Sequence, residues 1–332
     1  MSPGCFRLLR AGALLLAVLA CSAAGLPPKA IVVYHDSWNE PPVSVADGSS
    51  LAGLPEYLNV VNLAFARPDL IYRGDLDLRG TGLEYRYSGA VLRDAIALLK
   101  SRHPGTRVLL SIGGAAYDNW SGFDEEAAAR LVRDLGADGI DIDFEPAFPG
   151  CQTGPEQRIN CRTDPVWEAL IRRIRAVLPR PFLLTASVWS VGAYGENQFR
   201  TARPHSRYTG FMLSALRSPS ASEIDLLSIN AYDAGEQYDP LEAFRAYRAV
   251  WSGPLALGVE IRRAGGKGPY YSAAGAEALA REVAKDGNGA MMLYPLLAIP
   301  EGIGRSDSPD GAALAMALCR GMKSVGCDTP PP

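Results

Sequence analysis

Three acidic residues, Asp141, Asp143 and Glu145, occupy alternate positions in the otherwise apolar segment 139–145. Because side chains alternate along a strand, the three carboxyl groups share one face, and the isoleucines and phenylalanine between them share the other. Burying carboxylates in this way costs desolvation and repulsion, so folding alone does not explain them. Neighbouring groups on one face lie about 6.5 to 7 Å apart, and at least one proton should be retained or shared near neutral pH.

Glu145 is nearest the carboxyl end of this predicted strand, where a parallel barrel exposes side chains to substrate, so it is the natural general acid. A solvated strand or a carboxylate calcium site would use similar residues. The alternation, however, directs the isoleucines towards helices, and calcium ligands are carried on a flexible loop. The segment therefore favours proton-transfer chemistry.

The elements that must position these acids are eight short apolar segments, each followed by a longer segment, often with a helical pattern. Strands that alternate with helices pair in parallel, and eight such units predict a single closed (β/α)8 barrel, a TIM barrel of the α/β class. A doubly wound open sheet is the alternative, but no glycine-rich nucleotide loop follows the first strand. The predicted strands are 31–34, 60–65, 108–112, 139–144, 182–188, 226–231, 255–259 and 290–294, and the clearest predicted helices are 90–100, 125–135, 165–178, 241–251 and 273–285.

The chain begins with two arginines and a short apolar run, too short to span a bilayer, so residues 1–25 are interpreted as a signal peptide. The residues before Cys21 also resemble a lipobox, and a lipid anchor at Cys21 is the alternative. The barrel is predicted over 29–319, and 320–332 form a tail. Only about thirty residues separate the last two strands, enough for one barrel unit without an α+β insertion domain.

Four cysteines lie beyond the signal segment. In an exported chain an even number indicates disulfides, and the local pairings are Cys151 with Cys161 and Cys319 with Cys327. A metal site is the competing interpretation, but the chain has no CxxC spacing and its histidines are scattered. The formal net charge of -3 gives no cationic surface for nucleic acid or anionic lipid, so an uncharged partner fits best.

The acidic segment matches, position by position, the DxxDxDxE motif of glycoside hydrolase family 18, starting at Asp138 and ending at Glu145. Ser111-Ile112-Gly113-Gly114, one strand upstream, is similar to the SxGG element of that family. Asn230-Ala231-Tyr232-Asp233, at the end of the sixth predicted strand, is similar to its tyrosine followed by Asp or Asn. The chain therefore resembles family 18 over the whole predicted barrel.

This resemblance implies substrate-assisted catalysis on N-acetylglucosamine polymers, without a cofactor or metal. Glu145 would protonate the glycosidic oxygen while the acetamido oxygen of the substrate attacks the anomeric carbon. Asp143 would hold the acetamido N–H, and Asp141 would share a proton or hydrogen bond with Asp143. Tyr232 would donate its hydroxyl to the acetamido oxygen.

The resemblance also implies supporting residues. Asp138, Gly113 and Gly114 are expected to be structural, and Ser111 to join the buried network at the substrate site. The family usually has a sugar-stacking tryptophan where this chain has Tyr294, so weaker stacking is expected there. The further candidates for contacts with sugar are Asn230, Asp233, Trp38, Trp120 and Trp189.

The predicted function is retaining hydrolysis of β-1,4-N-acetylglucosamine linkages in chitin or chitooligosaccharides by a secreted, extracellular or periplasmic monomer. The alternatives are an endo-β-N-acetylglucosaminidase acting on N-glycans or peptidoglycan, and a non-catalytic chitinase-like lectin. Family members have non-proline cis peptides after the catalytic glutamate and after the last-strand tryptophan. Since proline lowers the cost of a cis bond, Glu145–Pro146 and Tyr294–Pro295 are both predicted to be cis.

Overall fold

The computed structural model describes residues 25–332. Eight parallel strands form a closed barrel in which each strand pairs with its neighbours in sequence, and the last strand pairs with the first. All eight predicted strands are present, and the (β/α)8 barrel is confirmed. The strands are β1 Ile31–Asp36, β2 Val60–Ala66, β3 Arg107–Gly113, β4 Gly139–Asp143, β5 Leu183–Trp189, β6 Leu226–Asn230, β7 Leu255–Glu260 and β8 Gly289–Tyr294.

Within residues 25–332, seven α-helices surround the barrel, and several begin with a side-chain cap. The Ser88 hydroxyl accepts a hydrogen bond from the Val91 N–H, and the Asp124 carboxylate accepts one from the Ala127 N–H. The connection from β1 to β2 contains only the two 3-10 turns Ala46–Gly48 and Leu51–Gly53. The helices are α1 Gly89–Arg102, α2 Glu125–Leu135, α3 Asp164–Val177, α4 Leu213–Arg217, α5 Pro240–Arg248, α6 Ala273–Val283 and α7 Gly311–Met322.

Alternation along the strands produces two different packing layers. Outward residues such as Ile140 and Ile142 pack among the buried apolar side chains of the helices. Inward residues near the strand starts, such as Val60 and Leu109, fill the barrel with apolar groups. Towards the carboxyl ends the inward positions become polar, as at Asp141. The same two-residue period therefore builds an apolar floor and a polar mouth.

The connections on the catalytic face differ in the elements that they add to the barrel. Between β7 and β8 the only α-helix is α6, which confirms that no α+β domain is inserted there. Between β4 and α3 lies a two-stranded antiparallel hairpin, Cys151–Thr153 paired with Ile159–Cys161, and we call it the disulfide hairpin. Its ends are joined by the Cys151–Cys161 disulfide. A second disulfide joins Cys319 to Cys327, so both predicted pairings are confirmed.

The prediction of two cis proline bonds was wrong. Glu145–Pro146 and Tyr294–Pro295 are both trans. Proline lowers the cost of the cis form but leaves trans the more stable isomer by about 0.5 to 1 kcal/mol, so proline alone does not impose a cis bond.

Most of the predicted signal segment, together with the lipidation candidate Cys21, lies outside the described residues. Among the helices of residues 25–332, none has the length and apolar character needed to cross a bilayer.

A buried polar network stands behind β1, where an α-helix is missing. The His35 ring contacts the Tyr85 hydroxyl at 3.0 Å and the Ser50 hydroxyl at 2.9 Å. Glu40, itself buried, accepts hydrogen bonds from the Ser49 hydroxyl at 2.8 Å and from Ser50. Burial lowers the pKa of His35 to about 4. Hydrogen bonds therefore add to the apolar packing of Leu51 and Ala52 in this sector of the barrel.

Gly113 ends β3 in the left-handed region, with φ of 108°, and a Cβ there would collide with the Asp143 carbonyl oxygen and the Trp120 ring. We expect Gly113→Ala to destabilise the fold by about 2 kcal/mol or more, because backbone strain and overpacking add. Gly136→Ala is the matched control, since Gly136 also has positive φ but open space around it, and should cost about 1 kcal/mol. Urea unfolding measures both, and equal losses would contradict the collision argument.

Candidate active site

The carboxyl ends of the strands surround a cavity of about 690 Å³ that is lined by three of the four predicted catalytic residues, Asp143, Glu145 and Tyr232. Asp143 and Glu145 line it, as do Asn230, Tyr232 and Tyr294. Asp143 is the last residue of β4, and Glu145 lies two residues beyond it. A concave site of this size, with a few convergent polar groups on an aromatic wall, is typical of small-ligand binding.

Asp141 lies one step deeper on the same face and is fully buried. One carboxylate oxygen accepts hydrogen bonds from the hydroxyls of Tyr34 at 2.9 Å and Ser111 at 2.8 Å, and the other accepts one from Thr185 at 2.6 Å. Desolvation raises the pKa of Asp141, while the three hydroxyls lower it. Both oxygens are therefore occupied by donors from β1, β3 and β5, and the hydrogen bond expected between Asp141 and Asp143 is not formed.

Asp143 and Glu145 form a coupled acidic pair. Burial raises the pKa of Asp143 well above its usual value, and the neighbouring charge of Glu145 raises it further. Ser187 donates a hydrogen bond to Asp143 and opposes this shift. Burial raises the pKa of Glu145 to about 7. Near neutral pH the pair consequently retains a proton, as the sequence predicted.

Tyr232 and Asn230 meet beside this pair. The Tyr232 hydroxyl donates to the side-chain oxygen of Asn230 at 3.1 Å, and Asn230 hydrogen-bonds to Asp143 through its amide. Tyr294 stacks against the Tyr232 ring with centroids 5.9 Å apart and packs edge-on against Tyr34. These contacts form a wall in which hydroxyl, amide and carboxyl groups converge on one space.

A charged cluster borders Glu145 on the other side. The Arg263 guanidinium pairs with Asp233 and, at 2.9 Å, with Glu260. Asp233 has positive φ, 54°, and also accepts a hydrogen bond from the Lys267 N–H. Burial raises the pKa of Glu260 to about 7, and the charge of Arg263 lowers the pKa of Glu145. The guanidinium thus holds Asp233 in the cavity wall and acts electrostatically on the candidate acid.

The predicted supporting residues lie below the cavity or at its edge. Asp138 is at the opposite end of β4, where it accepts hydrogen bonds from Lys100 at 2.7 Å and from the Val108 N–H. Gly114 donates its N–H to the Asp143 carbonyl oxygen at 2.9 Å. Ser111 is fully buried against Asp141 and does not line the cavity. It therefore positions Asp141 from outside the cavity lining.

The three tryptophan candidates have different environments. Trp120 is buried and packs edge-on against Phe144, so it belongs to the core. Trp38 stacks on Phe65 with centroids 6.1 Å apart and does not line the cavity. Trp189 lines the cavity, but Tyr208 stacks on it with centroids 3.7 Å apart. Only Trp189 among them is placed to meet a ligand, and one of its faces is already covered.

Several residues of the site escaped sequence reasoning. The inward positions of β1 and β5 supply Tyr34, Thr185 and Ser187, and applying the two-residue alternation to every predicted strand would have found them. Arg263 follows β7 in a connection on the catalytic face. The expectation that a positive charge lies near clustered acids could have identified it. Tyr208 carries no such signal, because it lies in a long irregular connection whose course the sequence does not specify.

The sequence of the chain matches the family described as Glycosyl hydrolases family 18 over residues 30–238. That match covers more than half of the chain and includes β1 to β6 with the acidic segment. The chain belongs to glycosyl hydrolase family 18. Its membership confirms the resemblance inferred from the three motifs.

Two curated relatives of this family 18 chain are named as chitinases. A chitinase of Plasmodium falciparum (isolate 3D7) is 38% identical over 126 residues, covering 34% of this chain and 31% of that protein. Exochitinase 1 of Streptomyces olivaceoviridis is 31% identical over 137 residues, covering 37% of this chain and 21% of that protein. The matched stretches thus span less than a third of either relative.

Solved structures show the same barrel as this family 18 chain. A family 18 chitinase from Pseudoalteromonas aurantia has a TM-score of 0.59 at 17% identity, with 88% of this chain and 99% of that chain covered. A group IV chitinase from Ostrinia furnacalis has a TM-score of 0.57 at 14% identity, with 89% and 100% covered. At these identities the likeness concerns the fold.

Arg263→Gln should raise the pKa of Glu145 above its value of about 7, because the substitution removes the positive charge that lowers it. A titration of the glutamate side-chain carbons by NMR measures this shift. Arg262→Gln is the matched control, since Arg262 is the adjacent arginine but pairs with Asp307 and does not line the cavity. An unchanged or lowered Glu145 pKa in Arg263→Gln would contradict the electrostatic role.

Proposed function

We propose that this family 18 chain hydrolyses β-1,4-linked N-acetylglucosamine in chitin or chitooligosaccharides with retention of configuration. The observation that carries the proposal is the coupled pair of Asp143 and Glu145, which lies in one cavity with the side chains of Tyr232 and Asn230. The curated relatives named as chitinases support the substrate class. A lectin would have no need for two carboxyl groups held at the expense of desolvation and repulsion.

In the proposed reaction Glu145 is the general acid. With a pKa of about 7, it carries a proton near neutral pH and can release that proton without a large energetic penalty. The proton passes to the glycosidic oxygen as the bond from that oxygen to the anomeric carbon breaks. The acetamido oxygen of the same sugar supplies the electron pair that forms the new bond to the anomeric carbon. The Glu145 carboxylate then accepts a proton from the water that opens this intermediate.

Asp143 and Tyr232 would hold the acetamido group by hydrogen bonds during this attack. Asp143 accepts the acetamido N–H and stabilises the positive charge that develops on the ring. Tyr232 donates its hydroxyl to the acetamido oxygen, exchanging its present hydrogen bond to Asn230 for one to the substrate. Asp141, which accepts hydrogen bonds from three hydroxyls, lies beneath this pair and holds those hydroxyls in place. Such positioning fixes the near-attack geometry before the bond breaks.

The connection between β7 and β8 supports an open cleft as the binding mode. It contributes Arg263 and Lys267 to the cavity wall but adds no second domain above it. Tyr294 offers less stacking area than a tryptophan at that wall, so we propose modest affinity for each sugar. The endo-acting cleavage of soluble oligosaccharides fits such a cleft.

We also propose that the chain works outside the cytoplasm. Both disulfides, Cys151–Cys161 and Cys319–Cys327, are of the kind that persists in oxidising compartments. The charged and apolar order of the first residues supports export by a signal peptide.

Glu145→Gln should lower kcat on chitotetraose by about 10²- to 10⁴-fold while the oligosaccharide still binds, because an amide of the same shape cannot donate the proton. Product analysis by chromatography measures turnover, and calorimetry measures binding. Glu56→Gln is the control, since Glu56 is an exposed glutamate outside the cavity. A wild-type rate in Glu145→Gln would refute the assignment of the acid.

The proposal also predicts how kcat/KM falls on the alkaline side of its pH profile. Glu145 must be protonated to act, and its pKa is about 7, so kcat/KM should fall as pH rises through about 7. Initial rates on chitotetraose across a pH series measure this limb. An activity that keeps rising above pH 8 would show that another group supplies the proton.

A further inference from the structure

A second cavity of about 340 Å³ opens between the disulfide hairpin and the long connection that follows β5, and we call it the side lobe. His205, Ser206 and Arg207 line both the side lobe and the central cavity, so the two spaces are neighbours along one wall. Arg200 lines the side lobe alone. A ligand that occupies the central cavity can therefore continue into the side lobe.

The side lobe differs from the central cavity in charge. Its lining contains Arg200, Arg207 and His205 but neither aspartate nor glutamate. Within residues 25–332, the guanidinium groups of Arg200 and Arg207 form no ion pair and donate no side-chain hydrogen bond. By contrast, Arg217 and Arg263, which flank the same connections, both pair with carboxylates. The side lobe is thus a concave surface with uncompensated positive charge.

Arg207 is held in place without using its hydrogen-bond donors. Its guanidinium lies 5.0 Å from the centre of the Tyr208 ring and 5.5 Å from that of Phe148. Tyr208 in turn stacks on Trp189 at the wall of the central cavity. Cation–π contacts orient a guanidinium while leaving its N–H groups available for an anion. Phe148 is 71% exposed, which leaves an aromatic surface beside these donors.

We propose that the side lobe binds an anionic substituent of an N-acetylglucosamine-containing glycan, and that this chain prefers acidic glycans over neutral chitooligosaccharides. The proposal rests on the proposed hydrolase function, because it assigns the side lobe to a substrate that is cleaved in the central cavity. Arginine recognises carboxylate, sulfate and phosphate through the same paired donors, and the hydroxyls of Ser206 and Thr209 line the same space. The acid can belong to a lactyl ether on alternate sugars or to a sulfate ester.

The test compares three tetrasaccharides: chitotetraose, a tetrasaccharide of alternating N-acetylglucosamine and N-acetylmuramic acid, and 6-O-sulfated chitotetraose. For the wild type, kcat/KM should be higher on at least one acidic substrate than on chitotetraose, and the advantage should shrink in about 0.5 M salt. In the double variant Arg200→Gln, Arg207→Gln the acidic-to-neutral ratio should fall about tenfold. Whichever acidic substrate loses its advantage identifies the source of the anion.

Arg130→Gln is the matched control, since Arg130 is an exposed arginine on α2 outside both cavities and forms no ion pair within the described chain. It should leave the acidic-to-neutral ratio unchanged. Arg207→Lys keeps the charge but not the planar fork, so it should retain part of the preference. An acidic-to-neutral ratio that is the same in the double variant and the wild type would overturn the proposal, as would a wild type that favours chitotetraose.

Binding to Glu145→Gln, measured by calorimetry, separates this proposal from the proposed hydrolysis. If the wild type cleaves none of the three substrates, the hydrolase proposal fails, and the binding ratio still decides the role of the side lobe. If the double variant is misfolded by circular dichroism, Arg200→Gln alone provides the same comparison, because Arg200 is exposed at the rim.

Discussion

Repulsion between Asp143 and Glu145, two carboxyl groups desolvated at the end of β4, is the constraint on which the site depends. Two interacting buried carboxyl groups cannot both ionise at low cost: burial and the charge of Glu145 raise the pKa of Asp143, and burial raises the pKa of Glu145 to about 7. A closed barrel tolerates this cost because hydrogen bonds on all sides fix its strands. Proton transfer near neutral pH therefore depends on the position of Asp143 and Glu145 at the end of β4, and not only on the identity of the two residues.

The rest of the barrel mouth limits this repulsion. Hydroxyls from three other strands occupy Asp141, and Ser187 and Asn230 contact Asp143. Each donor stands on an inward position of its strand, so the closed sheet brings together residues far apart in the chain. Arg263 adds a positive charge from the β7 connection. The network stabilises the carboxylates only in part, so the pKa values of Asp143 and Glu145 remain raised.

Strand periodicity made most of the fold and the centre of the site predictable. The alternation of Asp141, Asp143 and Glu145 with apolar residues placed the acids on the inner face, and eight similar segments predicted the closed barrel. Aromatic partners were less predictable, because the neighbours of Trp38 and Trp189 come from other connections. Phe65 and Tyr208 cover them through contacts that strand and helix patterns do not encode. The peptide bonds before Pro146 and Pro295 are trans, which shows that the lower cost of a cis bond before proline does not by itself impose the cis form.

The hydrogen-bonded sector behind β1 affects how the whole barrel tolerates acid. His35 binds its proton less readily in the folded chain, with a pKa of about 4 against an ordinary 6.5, so folding weakens as pH falls through that window. Glu145 has the opposite linkage, since its pKa rises from 4.5 to about 7 and folding strengthens as pH falls between those values. Asp36, Asp164 and Glu260 share the linkage of Glu145, because burial raises their pKa values to about 6, 6 and 7. The carboxyl groups therefore outweigh His35, and folding strengthens as the surroundings become mildly acidic.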